Sequence, residues 1–307
     1  MAYYLGIDTS NYTTSVAVVD SNGEIVFDER IVLDVEQGKR GLRQSDALFL
    51  HIKNLPILFE RISCEENLAA VGVSVSPRRT EGSYMPVFLA GVNCATAVSA
   101  THNIPLFSFS HQEGHFRAGE VGLAQDLPEK FYAVHLSGGT TEILNVRREG
   151  ARFSSDIIGA TQDVSAGQLV DRTGVKLGLG FPCGKELDRM ANEAEDFIPF
   201  KLSTKETNLS FSGVEAQVMR AIQQGTDARI IAKSVLIAIS DSLARTFHAA
   251  FKLHGEKPLL LVGGVASNTL IRERLGSEFG NSLVFSKPQY ATDNAVGIAY
   301  LAKECAI

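Results

Sequence analysis

The stretch YYLGIDTSNYTTSVAVV, at residues 3–19, joins two apolar runs through a short turn of small polar residues. Residues 132–146, YAVHLSGGTTEILNV, repeat this pattern around a turn that contains two glycines. An apolar strand, a small-residue turn and a second apolar strand are typical of a β-hairpin. Because each hairpin opens one half of the chain, the sequence predicts a duplicated α/β fold. Each half is expected to carry a mixed sheet and helices.

The segments around the two hairpins have recognisable periodicities. Apolar side chains recur with helical spacing in residues 44–63 and 228–253, whereas PLLLVGG at 258–264 is a fully apolar strand. A closing helix is expected to begin after Thr292 or Asp293 as its cap. In order, the sequence predicts strands at 23–35, 69–76, 105–109, 258–264 and 283–286. It predicts helices at 44–63, 85–100, 228–253, 268–275 and 294–303, and a further helix that begins near His111.

The expected division is into two subdomains. The first comprises residues 1–105 together with 292–307, because the closing helix is expected to return to the first half. The second comprises residues 106–291 and is expected to carry most of the metal and nucleotide contacts. A chain of 307 residues is long enough for two such domains.

Charge and cysteine usage exclude several classes of protein. The 29 Lys and Arg residues and 35 Asp and Glu residues give a net charge of −6, which excludes a uniformly basic surface for coating nucleic acid. The cysteines are too far apart for a zinc ribbon, a redox dithiol or a disulfide framework; they are Cys64, Cys94, Cys183 and Cys305. With no signal-like start and no apolar run of spanning length, we expect a cytoplasmic protein without a membrane segment.

Three small-residue turns follow apolar strands, at residues 8–10, 137–141 and 263–264. Successive backbone N–H groups in such turns bind anions, and glycine lets a ligand approach the backbone closely. One such turn alone is most often a simple hairpin turn. All three in this order resemble the phosphate-binding layout of actin-like ATPases, whereas P-loop and Rossmann motifs are absent from the sequence. We therefore predict Asp8 as a catalytic residue that orients a metal or water, and Thr9, Gly263 and Gly264 as nucleotide contacts.

His111 and His115 lie four residues apart in HQEGH. On a helix, both imidazoles would share one face, which suits a divalent metal, although two surface histidines would give the same pattern. A zinc protease of the HExxH type would have Glu directly after the first histidine, where this chain has Gln112, so protease chemistry is disfavoured. His135 and Asp293 are candidates for the remaining ligands. Such a set suits Fe²⁺ or Zn²⁺, with Mg²⁺ left open.

These motifs together resemble the TsaD family, the tRNA threonylcarbamoyladenosine transferases. The resemblance covers nearly the whole chain and follows eight motifs in order. They are GIDTS (6–10), HQEGH (111–115), LSGGT (136–140), AGQLVDRTG (166–174), LGFPCG (179–184), LSFSG (209–213), GGVASN (263–268) and ATDNA (291–295).

The resemblance implies an actin-like ATPase (ASKHA) fold with a nucleotide in the cleft between two subdomains. It implies a metal bound by His111, His115 and Asp293, and it puts His135 where archaeal-type members have a tyrosine ligand. The implied activity is attack by N6 of adenosine 37 of tRNA on threonylcarbamoyl-AMP, with release of AMP. The implied partners are an adenine nucleotide (ATP or an acyl-adenylate), tRNA and a smaller actin-like protein. The implied nucleotide and substrate contacts are Ser137, Gly138, Gly139, Thr140, Asp171, Gly184, Asp188 and Asn268.

The chain also departs from the family pattern. Tyr12 and Thr13 replace an acidic pair, Gln168 replaces a glutamate, and Glu215 replaces a lysine. These departures favour a paralogue, either one that uses another acceptor or one that binds nucleotide without catalysis and regulates a partner.

Overall fold

The computed structural model describes residues 1–10, 12–34, 42–62, 67–124 and 126–307. Asn11 of the first turn and Cys64 lie outside the described residues. The strands are β1 (Tyr3–Ser10), β2 (Thr13–Asp20), β3 (Ile25–Val32), β4 (Leu68–Ser76), β5 (Leu106–Ser110), β6 (Lys130–Leu136), β7 (Thr141–Glu149), β8 (Arg152–Ala160), β9 (Ser203–Lys205), β10 (Asn208–Ser210), β11 (Leu259–Val262) and β12 (Leu283–Phe285). The helices are α1 (Gln44–Phe59), α2 (Phe88–His102), α3 (His111–Gly119), α4 (Ala166–Lys176), α5 (Gly184–Asn192), α6 (Ser212–Gln223), α7 (Ala228–His254), α8 (Thr269–Phe279), α9 (Pro288–Ala291) and α10 (Val296–Ala306).

The chain forms two compact units. The first unit comprises Met1–Leu123, Arg148–Ser154 and Asp293–Ile307. The second unit comprises Ala124–Arg147 and Ser155–Thr292. Among the described residues, no helix combines the length and apolar character that crossing a bilayer requires.

The first unit is built on a five-stranded mixed sheet in the order β3-β2-β1-β4-β5. The predicted hairpin is the antiparallel β1–β2 pair, in which Asp8 lies opposite Ser15, and β4 runs parallel to β1. Alternate residues of β1 face opposite sides of the sheet. Leu5 and Ile7 pack into the core with α1 and α2, whereas a Cβ at Gly6 would lie 2.5 Å from the Ala295 carbonyl oxygen, beside α10. Small residues on this second face therefore let α10 approach the sheet closely.

The first unit extends further along the chain than the sequence boundary near residue 105. β5 is the edge strand of the first sheet and runs parallel to β4. α3 follows β5 directly and packs on α10, where a Cβ at Gly297 would overlap the Gly114 carbonyl oxygen. Because both elements pack within the first unit, the division falls after Leu123.

The second unit repeats the arrangement with a sheet in the order β12-β11-β6-β7-β8. β6 and β7 form the second predicted hairpin, and β11 runs parallel to β6. The 27-residue helix α7 supplies much of the core through fully buried side chains such as Leu236, Ile239 and Phe247. A small β9–β10 ribbon adds a separate sheet. The prediction of two mixed sheets, each opened by a hairpin, is confirmed.

Candidate metal centre and glycine turns

Helix α3 presents two histidines on one face. Ser110 caps the helix, because its Oγ accepts from the backbone N–H of Glu113 at 3.2 Å and the Glu113 carboxylate accepts from the Ser110 N–H at 2.8 Å. This reciprocal pair is a capping box, and it starts the helix at His111. His111 and His115 then lie one helical turn apart, so their imidazoles point to the same side.

Both imidazoles converge on Asp293. Its Oδ1 lies 3.5 Å from His111 Nε2 and 3.2 Å from His115 Nε2. One ligand atom from each of the three residues lies within 4.8 Å of the others. The backbone carbonyl of Asp293 accepts from the Arg30 guanidinium at 3.2 Å, which fixes the chain at this point. Two imidazole nitrogens and one carboxylate oxygen, largely buried, are a donor set that fits Zn²⁺ or Fe²⁺.

Asp8 contacts Nδ1 of His111, the ring nitrogen that does not face Asp293. Its Oδ1 lies 3.0 Å from His111 Nδ1, and its Oδ2 accepts from the Ser10 hydroxyl at 2.6 Å. The Asp8 side chain is fully buried. A carboxylate on the far nitrogen of a ligating imidazole fixes the tautomer and the ring orientation, and here it leaves Nε2 facing Asp293.

The charges of these groups are strongly coupled. Burial alone would lower the pKa of the His111 imidazole, but Asp8 and Asp293 beside it raise that pKa to about 10. Burial alone would raise the pKa of the Asp8 carboxyl, but His111 and the hydroxyls of Ser10 and Ser74 lower it. The pKa of Asp293 is likewise held well below its usual range, against burial, by the two histidines. The two carboxylates beside the His111 ring make the site electronegative, and a metal ion that bound there would displace the ring proton.

The SGGT turn (residues 137–140) connects β6 and β7 in the second unit. The Ser137 N–H donates to the Thr140 carbonyl at 2.9 Å, and the Thr140 N–H donates to the Ser137 hydroxyl at 3.1 Å. A Cβ built on Gly138 or Gly139 meets no described atom within 4 Å. The backbone of the turn is therefore open to close approach by a ligand.

The SGGT turn is supported from beneath by two other segments. A Cβ at Gly167, at the start of α4, would lie 2.6 Å from Gly138 Cα, and the Ser165 hydroxyl donates to the Gly138 carbonyl at 2.8 Å. Gly263 has φ +99°, and a Cβ there would overlap the carbonyl oxygen of Leu136, directly before the turn. These glycines are required for the close contact of the predicted motifs within the second unit.

Asp171 and Gly184 meet at the start of α5. The Asp171 carboxylate accepts from the Cys183 N–H at 2.9 Å. Burial raises the pKa of the Asp171 carboxyl, and this hydrogen bond opposes that effect. A Cβ at Gly184 meets no described atom within 4 Å, so the backbone next to Cys183 is also open.

Asp188 and Asn268 meet at the start of α8. The Asp188 carboxylate accepts from the backbone N–H of Thr269 at 3.0 Å and from its hydroxyl at 2.9 Å. Asn268 caps α8 by accepting from the Ile271 N–H at 3.0 Å. Gly264 precedes this cap, and a Cβ there would have only an ordinary contact of 3.7 Å with Thr292. The side chains of both predicted contacts thus organise the helix terminus.

Two predicted site residues, Thr9 and His135, belong neither to the His111–His115–Asp293 cluster nor to the glycine turns. The Thr9 hydroxyl donates to the Val87 carbonyl at 3.0 Å and accepts from the Gly91 N–H at 3.2 Å, so it joins β1 to α2. His135 lies on β6 in the second unit, opposite Glu142 of β7. The first unit therefore brings together three of the four predicted metal ligands.

Sequence reasoning missed three side chains that support the first-unit site. Ser10 donates a hydrogen bond to the buried Asp8 carboxylate, and the nearby Ser74 hydroxyl helps to lower the pKa of that carboxyl. Glu113 closes the capping box of α3, and Ser110-x-x-Glu113 is the sequence pattern that could have revealed it. The serines have no comparable sequence signal, because their role depends on the packing of β1 against β4.

The departures from the family pattern have local explanations. Gln168 accepts from the N-cap serine of α4 at 3.4 Å, so it completes a capping box as a glutamate would. Glu215 pairs with Arg172 at 3.1 Å on the surface of the second unit. Thr13 is buried at the start of β2, next to the partly exposed Tyr12. Of the altered positions, only Tyr12 and Thr13 remove acidic groups from the turn that carries Asp8.

Comparisons with known proteins bear on both fold and family. The family model "TsaD: tRNA N6-adenosine threonylcarbamoyltransferase" matches residues 47–300. A tRNA N6-adenosine threonylcarbamoyltransferase of Thermus thermophilus is 31% identical over 303 residues, which cover 98% of this chain and 92% of that protein.

Two solved structures show the fold. The activator of 2-hydroxyisocaproyl-CoA dehydratase from Clostridium difficile has a TM-score of 0.57 at 14% identity, covering 99% of this chain and 96% of its own. HypF from T. kodakarensis has a TM-score of 0.64 at 14% identity, covering 99% of this chain and 48% of its own. These likenesses confirm the predicted actin-like ATPase fold. With the family model matching most of the chain, and a relative above 30% identity along nearly all of it, this chain belongs to the TsaD family of tRNA N6-adenosine threonylcarbamoyltransferases.

Proposed function

We propose that this chain transfers the threonylcarbamoyl group of threonylcarbamoyl-AMP to N6 of adenosine 37 in tRNA. Family membership gives the reaction class, and the observation that carries the proposal is the convergence of His111, His115 and Asp293 in the first unit. The chain keeps the metal ligands of the family pattern. Its turn after β1 has Tyr12 and Thr13 in place of the family's acidic pair.

The proposed ligand atoms are Nε2 of His111, Nε2 of His115 and a carboxylate oxygen of Asp293. Imidazole donors favour Zn²⁺ or Fe²⁺ over Mg²⁺. A divalent ion bound there would supply positive charge to a phosphate oxygen of the adenylate. Asp8 holds the His111 ring in the required orientation. His135 belongs to the second unit and is tested as a fourth ligand by its own variant.

The second unit would hold the adenylate. The open backbone of the SGGT turn offers N–H groups to the phosphate, and Gly184 and Gly264 offer close approach to the nucleoside. Asp171, Asp188 and Asn268 keep the surrounding helix starts in place. ATP would occupy the same position through its phosphates.

The reaction balances without a further reactant. N6 of adenosine forms a bond to the carbonyl carbon of the threonylcarbamoyl group, and the bond from that carbon to the phosphate oxygen breaks. AMP leaves with the electron pair of the broken bond, and N6 releases one proton. We propose that the reaction occurs in the cytoplasm, with tRNA bound in part by a smaller actin-like partner protein.

The test is complementation in cells depleted of their own TsaD, with threonylcarbamoyladenosine in bulk tRNA measured by mass spectrometry. The chain should restore the modification, His111→Ala should abolish it, and the surface variant His102→Ala should retain it. His135→Ala should reduce both modification and metal content if His135 is a ligand. No restoration, even with partner proteins from the same source, would favour a nucleotide-binding paralogue without this activity.

A further inference from the structure

We propose that the hairpin tip at residues 148–154, between β7 and β8, is a positioning element for the two histidines of α3. The inference rests on the proposed metal site. The tip belongs to the first unit and contacts α3 near both of its ends. Through Arg148, Arg152 and the backbone of Phe153, it would fix the ligand helix at the spacing that a metal requires.

The contact near the start of α3 is made by Glu113. This carboxylate is 2% exposed, and its Oε2 closes the capping box of the helix. Its Oε1 turns to the tip, where it accepts from the Phe153 N–H at 3.4 Å and lies 3.8 Å from the Arg152 guanidinium. Arg152 also donates to the Ser108 carbonyl at 2.5 Å and covers the Phe109 ring at 4.4 Å. The tip is thereby attached both to α3 and to the strand that precedes it.

The contact at the end of α3 is a ring of four charges. Arg148 pairs with Glu120, the C-cap residue of α3, and lies 3.9 Å from Glu304 of α10. Arg117 of α3 pairs with the same two carboxylates, at 2.6 Å from Glu304 and 3.8 Å from Glu120. Glu120 is only 7% exposed, so the ring is partly desolvated and each charge depends on its partners.

The position of these contacts relative to the helix crossing explains why they matter. α3 and α10 approach most closely at Gly114 and Gly297, where the Ile298 side chain also lies against Gly114. Further along the two helices, Arg117 of α3 covers the Tyr300 ring of α10 at 4.4 Å. Gly114 is the fourth residue of the nine-residue helix, so this crossing is the pivot for any rocking of α3 against α10. Rocking would change the distances from His111 and His115 to Asp293, which lies just before α10. Glu113 lies beside the pivot and Glu120 lies at the far end of the helix, so contacts at both positions oppose the rotation.

Glu113 has two possible roles, as the cap of α3 and as the contact between α3 and the hairpin tip. The variant Glu113→Gln separates them. Gln168 completes the equivalent capping box of α4 in this same chain, so a glutamine can cap α3 as well. With its oxygen kept on the Ser110 N–H, the glutamine turns its NH2 group to the tip, so the charge that faces Arg152 and the acceptor for the Phe153 N–H are both lost. We expect Glu113→Gln to lower the affinity for Zn²⁺ about tenfold, in the range found for groups that orient metal ligands.

Affinity is measured with Zn²⁺ alone, by competition with a chromophoric chelator, on the full chain. Arg148→Met, which keeps an apolar stem but removes the charge, should also weaken Zn²⁺ binding about tenfold. Glu29→Gln breaks an exposed ion pair with Arg61 in the same unit and should leave the affinity unchanged. Leu58→Ala, in the core with α1, should lower thermal stability without changing Zn²⁺ affinity, which excludes a general effect of destabilisation.

The outcomes separate this inference from the proposed function. If the parent chain binds no Zn²⁺ and His111→Ala changes nothing, the metal site itself is absent. If the parent chain binds Zn²⁺ but Glu113→Gln and Arg148→Met bind it equally well, the positioning role of the tip is overturned. Weaker binding by Leu58→Ala to the same extent would also overturn it.

Discussion

The Asp8 carboxylate, near the end of β1, meets the His111 imidazole, at the start of α3, with 3.0 Å between Oδ1 and Nδ1. The two residues are distant in sequence, and β5 brings the helix start to the sheet edge where β1 ends. The fully buried carboxylate is further held by the Ser10 hydroxyl. This pair connects the first predicted turn to the histidine cluster within the first unit.

Replacing the carboxylate should weaken metal binding without removing a ligand. Asp8→Asn keeps the size of the side chain but loses the charge that fixes the His111 ring, so Zn²⁺ affinity should fall about 10- to 100-fold. Chelator competition measures this change. The exposed variant Asp46→Asn, in α1, is the control and should bind like the parent. Equal affinity for Asp8→Asn would show that the ring orientation does not depend on this contact.

The helix crossing should tolerate no added methyl group. A Cβ at Gly297 would overlap the Gly114 carbonyl oxygen, so Gly297→Ala must push α3 away from α10. We expect a loss of about 1–3 kcal/mol in the free energy of unfolding, as for other overpacked sites, and weaker Zn²⁺ binding. Gly276→Ala, inside α8, is the matched control, because its Cβ would have only a 4.0 Å contact. It should be neutral or stabilising. Urea unfolding of both variants measures the difference.

Alanine in the SGGT turn should separate folding from nucleotide binding. A Cβ at Gly139 meets no described atom, so Gly139→Ala should change the free energy of unfolding by less than about 0.5 kcal/mol. The same methyl group would occupy the space that a phosphate needs next to the backbone. We expect at least a tenfold loss of affinity for ATP by calorimetric titration. Undiminished ATP binding would remove the SGGT turn from the proposed nucleotide site.

His51 should make the stability of the protein pH-dependent. Its buried imidazole contacts the Thr14 hydroxyl at 2.8 Å, and that hydroxyl also accepts from Asn54 at 3.2 Å. Burial lowers the pKa of His51 to about 4, against an opposing effect of Asp8. As the pH falls, His51 is therefore protonated near pH 6.5 in the unfolded chain but only near pH 4 in the folded chain. Stability should fall by about 2 kcal/mol between pH 7 and pH 5, and the penalty should be complete below about pH 4.

The variant His51→Gln tests whether this pH dependence of stability comes from His51. Urea unfolding at pH 7 and at pH 5 should show a smaller loss of stability for His51→Gln than for the parent. His102→Gln, at the exposed end of α2, should keep the full pH dependence of the parent. A pH dependence that survives in His51→Gln would have to come from another group.

Much of the fold could be predicted because strands and long helices have local periodicity. The two hairpins and the predicted helix at 228–253 lie within three residues of β1–β2, β6–β7 and α7. The predicted cap of the closing helix was wrong. α10 begins at Val296, and the Asn294 side chain, rather than Thr292 or Asp293, accepts from its N–H. The carboxylate of Asp293 instead faces the histidines.

Other elements have weak local signals. The sequence predicts no elements between residues 150 and 227, where the structure has β8 to β10 and α4 to α6. Helix α4 contains Gly167 and Gly174, which disfavour helix on propensity alone and are needed for close contacts. The His111–His115 pair follows from its spacing, but the approach of Asp293 depends on the packing of α10 against α3. The residue types make Asp293 a candidate ligand, and the family resemblance supports it, but no local periodicity predicts the contact itself.

The ligand set also has a consequence for synthesis of the protein. Asp293 is translated about 180 residues after His115, an interval of roughly 10 to 35 seconds at ordinary rates of elongation. During that time the nascent chain carries both histidines without their carboxylate, and the first sheet lacks α10 on one face. The ribosome must therefore synthesise all of the second unit before the first can fold fully. A metal ion at the proposed three-ligand site would therefore bind only late in the maturation of this enzyme.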